Sequence, residues 1–359
     1  MKILVIQQKM IGDVLTSSIL FEALKRKFPK AELHYLINSH TLPVVENHPH
    51  IDAFLLFTPK MEASKLEIWH LIKKVRKEQY EIVIDVYAKL SSNLITFFSG
   101  AAQRISYYKS YTWFFYTDTV KRKDEPTTRA GLAIENRIQL LEPLGLVEEP
   151  IPPKIYLTQQ EKQKAFDILQ LHGLKTDSPI FMISLLGSGP AKTYPFHYMA
   201  EIIDHICMET KEAQILFNYI PGQIKEARDI FELCSRKAQK QIFFNVFGKG
   251  LRDFLGLTSF CTAMIGNEGG AINMAKALNI PTFSIFSPWI EKSHWSVFDN
   301  GTTNVSVHLQ DYNKVPYQEI KKYKHLKKQS RFLYTQLKPE LFKTELSRFL
   351  NRVQKRQHG

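Results

Sequence analysis

Short β-branched runs alternate with amphipathic helical segments along nearly the whole chain, and this alternation limits the fold more than any other feature. Lys2-Ile3-Leu4-Val5-Ile6 reads as a strand buried on both faces, as in a parallel sheet. Residues 14–28 read as the helix after it, with Leu15/Ile19 and Leu20/Leu24 four apart, Lys25-Arg26-Lys27 in the last turn and Pro29 just beyond. Residues 32–37 and 53–57 then read as strands, 66–78 as an amphipathic helix and 82–86 as a strand ending near Asp85. Next come a helix at 90–98, a strand at 104–108 and a helix at 129–144 stopped by Gly145. Strand and helix in strict turn predict a doubly wound parallel sheet.

Pro150, Pro152 and Pro153 interrupt the pattern and mark a domain boundary, with a strand at 154–157 and a helix at 159–171 expected to pack still on the first domain. A fresh series starts at Pro179. Residues 180–185 read as a strand, Leu186-Gly187-Ser188-Gly189-Pro190-Ala191-Lys192 as a loop and 196–208 as a helix. Residues 214–219 and 241–246 read as further strands. A last apolar run, 262–265, ends in Gly266-Asn267-Glu268-Gly269-Gly270, followed by a helix at 271–278 and a β-rich run from Pro281. A length of 359 residues suits two such domains.

The ends of these strands collect the chemistry. Two glycines at a helix entrance let backbone approach a ligand, and the free N–H groups there favour a phosphate; the bland reading is a turn. Gly187-Ser188-Gly189 with Lys192 three residues on is a phosphate cradle in outline, although it is neither a Walker A loop nor GxGxxG. Gln223 and Lys249 follow two further strands. In the first half Asp13 falls at a helix N-terminus, as a cap or as a functional carboxylate where open α/β sheets place their ligands. Two such domains facing a common cleft put Asp13 opposite Lys192, Glu268 and Gly269-Gly270, which suits a diphosphate donor on the second domain and its reaction partner on the first.

The 44% hydrophobic and 23% charged content describes a soluble globular protein. Ile3-Leu4-Val5-Ile6 is stopped by Gln7-Gln8-Lys9, unlike a signal peptide, and no apolar run approaches the roughly 20 residues of a membrane span. Cys207, Cys234 and Cys261 lie far apart, with neither CxxC pairing nor a nearby His cluster, and read as reduced residues of a cytoplasmic protein. Most of the net charge of +13 lies from Lys314 onward, where thirteen Lys/Arg meet three acids. Such a tail is a solvated helix face or a grip on an anionic membrane or nucleic acid. Its Leu333, Leu337, Leu341, Leu346, Phe349 and Leu350 recur at near-helical spacing, so it also packs on something. Residues 109–128 hold Tyr111, Trp113, Phe114, Phe115 and Tyr116 before Lys121-Arg122-Lys123, a packed loop or part of a surface for an amphipathic acceptor.

Three stretches resemble glycosyltransferase family 9, the lipopolysaccharide heptosyltransferases: KILVIQQKMIGDVLTSSILFEALKRKFPKAELHYL at the start, SLLGSGPAKTYPFHYMAEI in the middle and IGNEGGAINMAKALNIPTFSIF late in the chain. They stand in the family's order. The resemblance implies a GT-B fold: two Rossmann-like doubly wound domains, 1–172 for the acceptor and 173–330 for the nucleotide sugar, face a central cleft, and a basic helix at 331–359 crosses back to the first domain. It implies an inverting transfer of a sugar, a heptose from an ADP-linked donor, to a lipopolysaccharide-core or related lipid-linked glycan. Asp13 matches the general base, Lys192 the phosphate-binding lysine and Glu268 the acid at the donor sugar. Ser188, Gln223, Lys249, Gly269, Gly270 and Asn273 are assigned to the donor, Lys9, Gly12 and Arg104 to the acceptor. Asn273 stands for the family's usual His, and Gln223 for a Glu that often contacts the ribose.

Neither metal nor other cofactor is expected, since the chain has no DxD motif. The expected location is cytoplasmic, peripheral on the inner face of an anionic membrane, without nucleic acid. A nicotinamide dehydrogenase would use the same architecture but lacks its GxGxxG after the first strand. A non-catalytic nucleotide-sugar or nucleic-acid binding module, in which Asp13 is only a cap, stays open at this point.

Overall fold

The structure, a computed structural model, describes residues 1–312 and 323–357. The chain divides into two compact units, Met1–Tyr156 and Leu157–Gly359. The first is built on six strands, β1 (Lys2–Gln7), β2 (Glu32–Asn38), β3 (Ala53–Phe57), β4 (Ile82–Asp85), β5 (Gln103–Tyr107) and β6 (Asp118–Val120). They are all parallel, in the order β3-β2-β1-β4-β5-β6. Alternate residues of β1 serve opposite faces. Leu4 and Ile6 join Leu71, Ile72, Val75 and Ile95 from the helices Lys65–Lys77 and Leu90–Phe98 in one apolar cluster. The strand order reverses between β1 and β4, and the crevice beyond their carboxyl ends is where such sheets take ligands.

The helix expected at 14–28 is two helices, Ile11–Ser17 and Ile19–Lys27. Three successive hydroxyls bond back to the turn before them: Thr16 to Gly12 O, Ser17 to Asp13 O and Ser18 to Leu15 O, at 2.7–2.9 Å. Such back-bonding competes with the helical ladder and bends it.

The second unit has five parallel strands, β7 (Ile180–Ser184), β8 (Gln214–Asn218), β9 (Ala263–Asn267), β10 (Thr282–Ile285) and β11 (Asn304–Val307), in the order β11-β10-β9-β7-β8. Here the order reverses between β7 and β9. Gly266 stands at their carboxyl end with φ 131°, and a Cβ on it would lie 2.4 Å from Ser184 O. Only glycine lets the two strands close up there.

Several expectations need correction. The boundary falls at 156/157, not 172/173, because the helix Gln159–Leu171 packs within the second unit: Glu161 accepts from Arg252 Nε and Nη2 at 2.5 and 2.6 Å. The last two helices, Tyr323–Gln336 and Lys343–Gln357, bury Leu333, Leu337, Leu346, Phe349 and Leu350 in the second unit's own core with Phe283 and Ile285 of β10, whereas the sequence reading assigned the 331–359 helix to the first domain. Lys314, Lys321 and Lys322 of the basic tail lie outside the described residues. No strand forms at 154–157. At 241–246 only one bridge forms, Ile242 to Ile215, since Val246 N already turns back to Phe243 O. The helix read at 129–144 is Leu132–Gln139 plus a 3-10 turn, Glu142–Leu144, ended as expected by Gly145 at φ 68°.

Candidate active site

Each unit gathers polar groups at its own switch point. In the first, Met10 at φ 65° turns the chain out of β1, so Asp13 falls in the first turn of the helix Ile11–Ser17. Its Oδ1 lies 2.7 Å from Arg137 Nη2, and the two side chains are 29% and 10% exposed. Arg137 Nε also donates to Ser17 Oγ at 2.9 Å and Nη1 to Ala133 O at 2.6 Å, which fixes the fork. The carboxylate therefore has one oxygen oriented by a buried cation, and its other oxygen accepts no hydrogen bond among the described residues.

On the same helix as Arg137, the buried Glu135 carboxylate accepts from the backbone N–H and hydroxyl of both Thr127 and Thr128 at 2.7–3.0 Å. Burial alone would raise this acid, but those donors hold it down to about 2. It anchors the loop that brings the Arg122 guanidinium 3.8 Å from the Tyr107 ring.

Asp85, the last residue of β4, is fully buried and accepts from Ala88 N and the Tyr116 hydroxyl, both at 2.8 Å. Burial outweighs those bonds and pushes it up to about 6. A folded value above the unfolded one favours the native state fully below about pH 4, and that contribution is lost as pH rises through 6. Asp85→Asn removes the loss. From pH 4 to 7 its unfolding free energy, measured in urea, should gain on wild type by on the order of 2–3 kcal/mol; a gain toward acid would contradict the assignment.

The expected acceptor residues are only partly together. Gly12 precedes Asp13 in the same helix, and Lys9, between them and β1, ion-pairs with Glu62. Arg104 is corrected: it is the second residue of β5, at the amino ends of the parallel strands and away from Asp13, and its guanidinium serves Phe115 O at 3.1 Å and Ala101 O at 2.7 Å.

In the second unit Lys192 Nζ reaches Glu268 Oε1 at 3.3 Å, joining the Gly/Ser loop after β7 to the turn after β9. Burial pushes Glu268 up and Lys192 partly restores it. Lys192 and Lys327 lie 5.6 and 5.2 Å from the Trp289 ring centroid. Beside Glu268, Gly269 has φ 149°, and the helix Gly270–Ala277 starts with no side-chain cap; a Cβ on either glycine would meet open space. Asn267 holds this end together. Its Nδ2 donates to Ser184 O and Leu185 O at 3.1 and 2.7 Å, and its Oδ1 accepts from Tyr194 N at 2.7 Å.

A pocket of about 710 Å³ opens next to it, lined by Gly187, Ser188 and Gly189, by Ile220, Gln223 and Glu226 after β8, and by Arg331 and Thr335. That volume holds a nucleotide-sized ligand. Of the residues expected at the donor, Lys192, Glu268, Gly269 and Gly270 form one cluster, and Ser188 and Gln223 line the pocket. Lys249 is exposed in its loop and Asn273 lies in the second turn of the helix Gly270–Ala277; neither lines the pocket. Sequence reasoning missed Arg137, Asn267, Trp289 and Arg331. Charged residues on the apolar face of 132–139, and a Trp just past a strand end, were the available signals.

Two doubly wound sheets, each with ionisable groups at its switch point, and an uncapped helix start beside a lysine in the second, define a two-Rossmann protein built to take phosphorylated ligands. A glycosyl transferase family 9 structure from Veillonella parvula superposes with a TM-score of 0.76 at 16% identity, covering 93% of this chain and 97% of that one. The Escherichia coli ADP-heptose LPS heptosyltransferase II gives 0.69 at 17%, covering 94% and 99%. These likenesses give the fold class, GT-B. The model of glycosyltransferase family 9 (heptosyltransferase) matches residues 68–325, and the chain belongs to that family of glycosyltransferases. Lipooligosaccharide heptosyltransferase 2 of Haemophilus influenzae is 23% identical over 306 residues, 80% of this chain and 84% of the relative. Membership in a transferase family sets the dehydrogenase reading aside. Among the described residues no helix is long and apolar enough to cross a membrane.

Proposed function

We propose that this chain transfers a heptose with inversion from ADP-heptose to a lipid-linked core glycan, working peripherally at the inner face of the cytoplasmic membrane. The observation that carries this reading is the Lys192–Glu268 pair at an uncapped, glycine-entered helix beside the nucleotide-sized pocket. The E. coli ADP-heptose heptosyltransferase of the same fold supports ADP as the nucleotide.

On this reading the second unit binds the donor. Lys192 and the N–H groups at Gly269 and Gly270 stabilise the charge that grows on the departing diphosphate, and the helix dipole adds to them. Glu268, held by Lys192, faces the sugar and phosphates, and Gln223 and Arg331 set the nucleoside end. The first unit binds the acceptor. Asp13 takes the proton of the attacking hydroxyl, with Arg137 directing the free carboxylate oxygen. The hydroxyl oxygen bonds to the anomeric carbon as the bond to the diphosphate breaks on the opposite face, which inverts the centre.

A thermal-shift panel of ADP, UDP, GDP and NAD tests the donor assignment, because a ligand of the native state alone raises its melting temperature. ADP should stabilise most. Stabilisation by UDP or GDP with none by ADP would reassign the nucleotide, and stabilisation by NAD alone would overturn the reading.

A further inference from the structure

The first unit carries a ridge of aromatic side chains that its core does not enclose. Ring centroids step from Trp69 to Phe98 (5.8 Å), Phe97 (5.2 Å), Phe115 (5.6 Å), Phe114 (4.4 Å) and Trp113 (6.5 Å). The line joins the helices Lys65–Lys77 and Leu90–Phe98 to the loop before β6. Four of the six rings are open to solvent: Trp69 44%, Phe97 43%, Trp113 55% and Phe114 54%. Single exposed rings are ordinary; four exposed rings on one connected line of six mark an interaction surface. A cation sits on it: Lys73 Nζ lies 5.9 Å from the Trp69 ring. Six residues on from Phe115 in the chain, the exposed Lys121 has its Nζ 6.0 Å from the half-exposed Tyr108 ring.

We propose that this ridge seats the protein on an anionic lipid bilayer. Trp and Phe with lysines at their rim is the composition of a bilayer interface, where rings enter the headgroup boundary and ammonium groups stay with the lipid phosphates. The charge decides between lipid and a second copy. The exposed Lys121-Arg122-Lys123 run follows the ridge in sequence and Lys73 stands beside Trp69, so two copies meeting here set like charges together, while an anionic surface neutralises them. The inference deepens the membrane-periphery reading by naming its surface, and it places that surface apart from the basic tail.

The test is flotation of the full chain with vesicles of phosphatidylethanolamine and phosphatidylglycerol, and with phosphatidylcholine alone. Wild type should float with the anionic vesicles and hardly with the neutral ones. Trp113→Ser with Phe114→Ser should lower the bound fraction about tenfold or more, with the melting temperature as in wild type. Lys73→Glu with Lys121→Glu should remove the preference for anionic lipid. Trp69→Ser, on a separate helix, repeats the test should the loop variant melt early. Three results would overturn the proposal: wild type ignoring anionic vesicles, both aromatic variants floating as wild type does, or a wild-type dimer in solution that the same substitutions dissolve. Vesicle binding needs no sugar donor, so its failure leaves the transfer reading to its own test.

Discussion

Asp13→Asn is expected to lower turnover by about 10²–10⁴-fold, the range for losing a positioned general base, with nucleoside-diphosphate affinity unchanged. The substitution is close to isosteric. Asn keeps an oxygen for the Arg137 fork, which stays anchored on Ser17 Oγ and Ala133 O, so the local packing survives. What it loses is the capacity to take a proton. The contrast with Arg137→Met is informative: that change frees the carboxylate to rotate and removes the donors to Asp13, Ser17 Oγ and Ala133 O, so it should lower turnover and the melting temperature together. Should Asp13→Asn keep near-normal turnover, Asp13 is a helix-terminal charge and the base lies elsewhere.

Lys192→Ala should weaken nucleoside-diphosphate binding by roughly 10–100-fold, the value of one charge-assisted contact of about 1.5–3 kcal/mol. It should also expose a second effect. Glu268 is nine-tenths buried, and Lys192 lowers a carboxyl that burial has raised. A raised folded value means that the group favours the native state at acid pH and ceases to as pH climbs. Without Lys192 that loss grows, so the melting-temperature deficit of Lys192→Ala should be larger at pH 8 than at pH 5. Adding Glu268→Gln should restore stability at pH 8 but not affinity. A deficit independent of pH would show that the pair is not coupled.

Much of this was legible before any coordinates. Parallel strands buried on both faces, such as β1 and β9, announce themselves as unbroken apolar runs, and glycines at their ends mark where the backbone must come close, as Gly266 does against Ser184. Asp13, Lys192, Glu268 and Gly269 were singled out because each lies in the loop or turn that follows such a run. What failed to show was contact across long separations. Arg137 meets Asp13 from 124 residues away, and nothing local in 132–139 names its partner. The spacing of Leu333, Leu346 and Phe349 says that the last helices bury one face, but not which unit they bury it against. At 241–246 the alternation of Ile242, Phe244 and Val246 is real, and all three are buried, yet only Gln241 O and Phe243 N reach β8. Arg104 was misplaced for a geometric reason: it stands at the amino end of its strand, and chemistry in these sheets gathers at the other end.

The most direct measurement is mass spectrometry of the product formed from ADP-heptose and a heptose-deficient lipid-linked core glycan, for wild type and Asp13→Asn side by side. The account predicts one added heptose and an equivalent of ADP with wild type, and almost none with the variant. ADP release and product formed equally by both proteins would contradict Asp13 as the base; no product from wild type with this donor and acceptor would contradict the transfer itself.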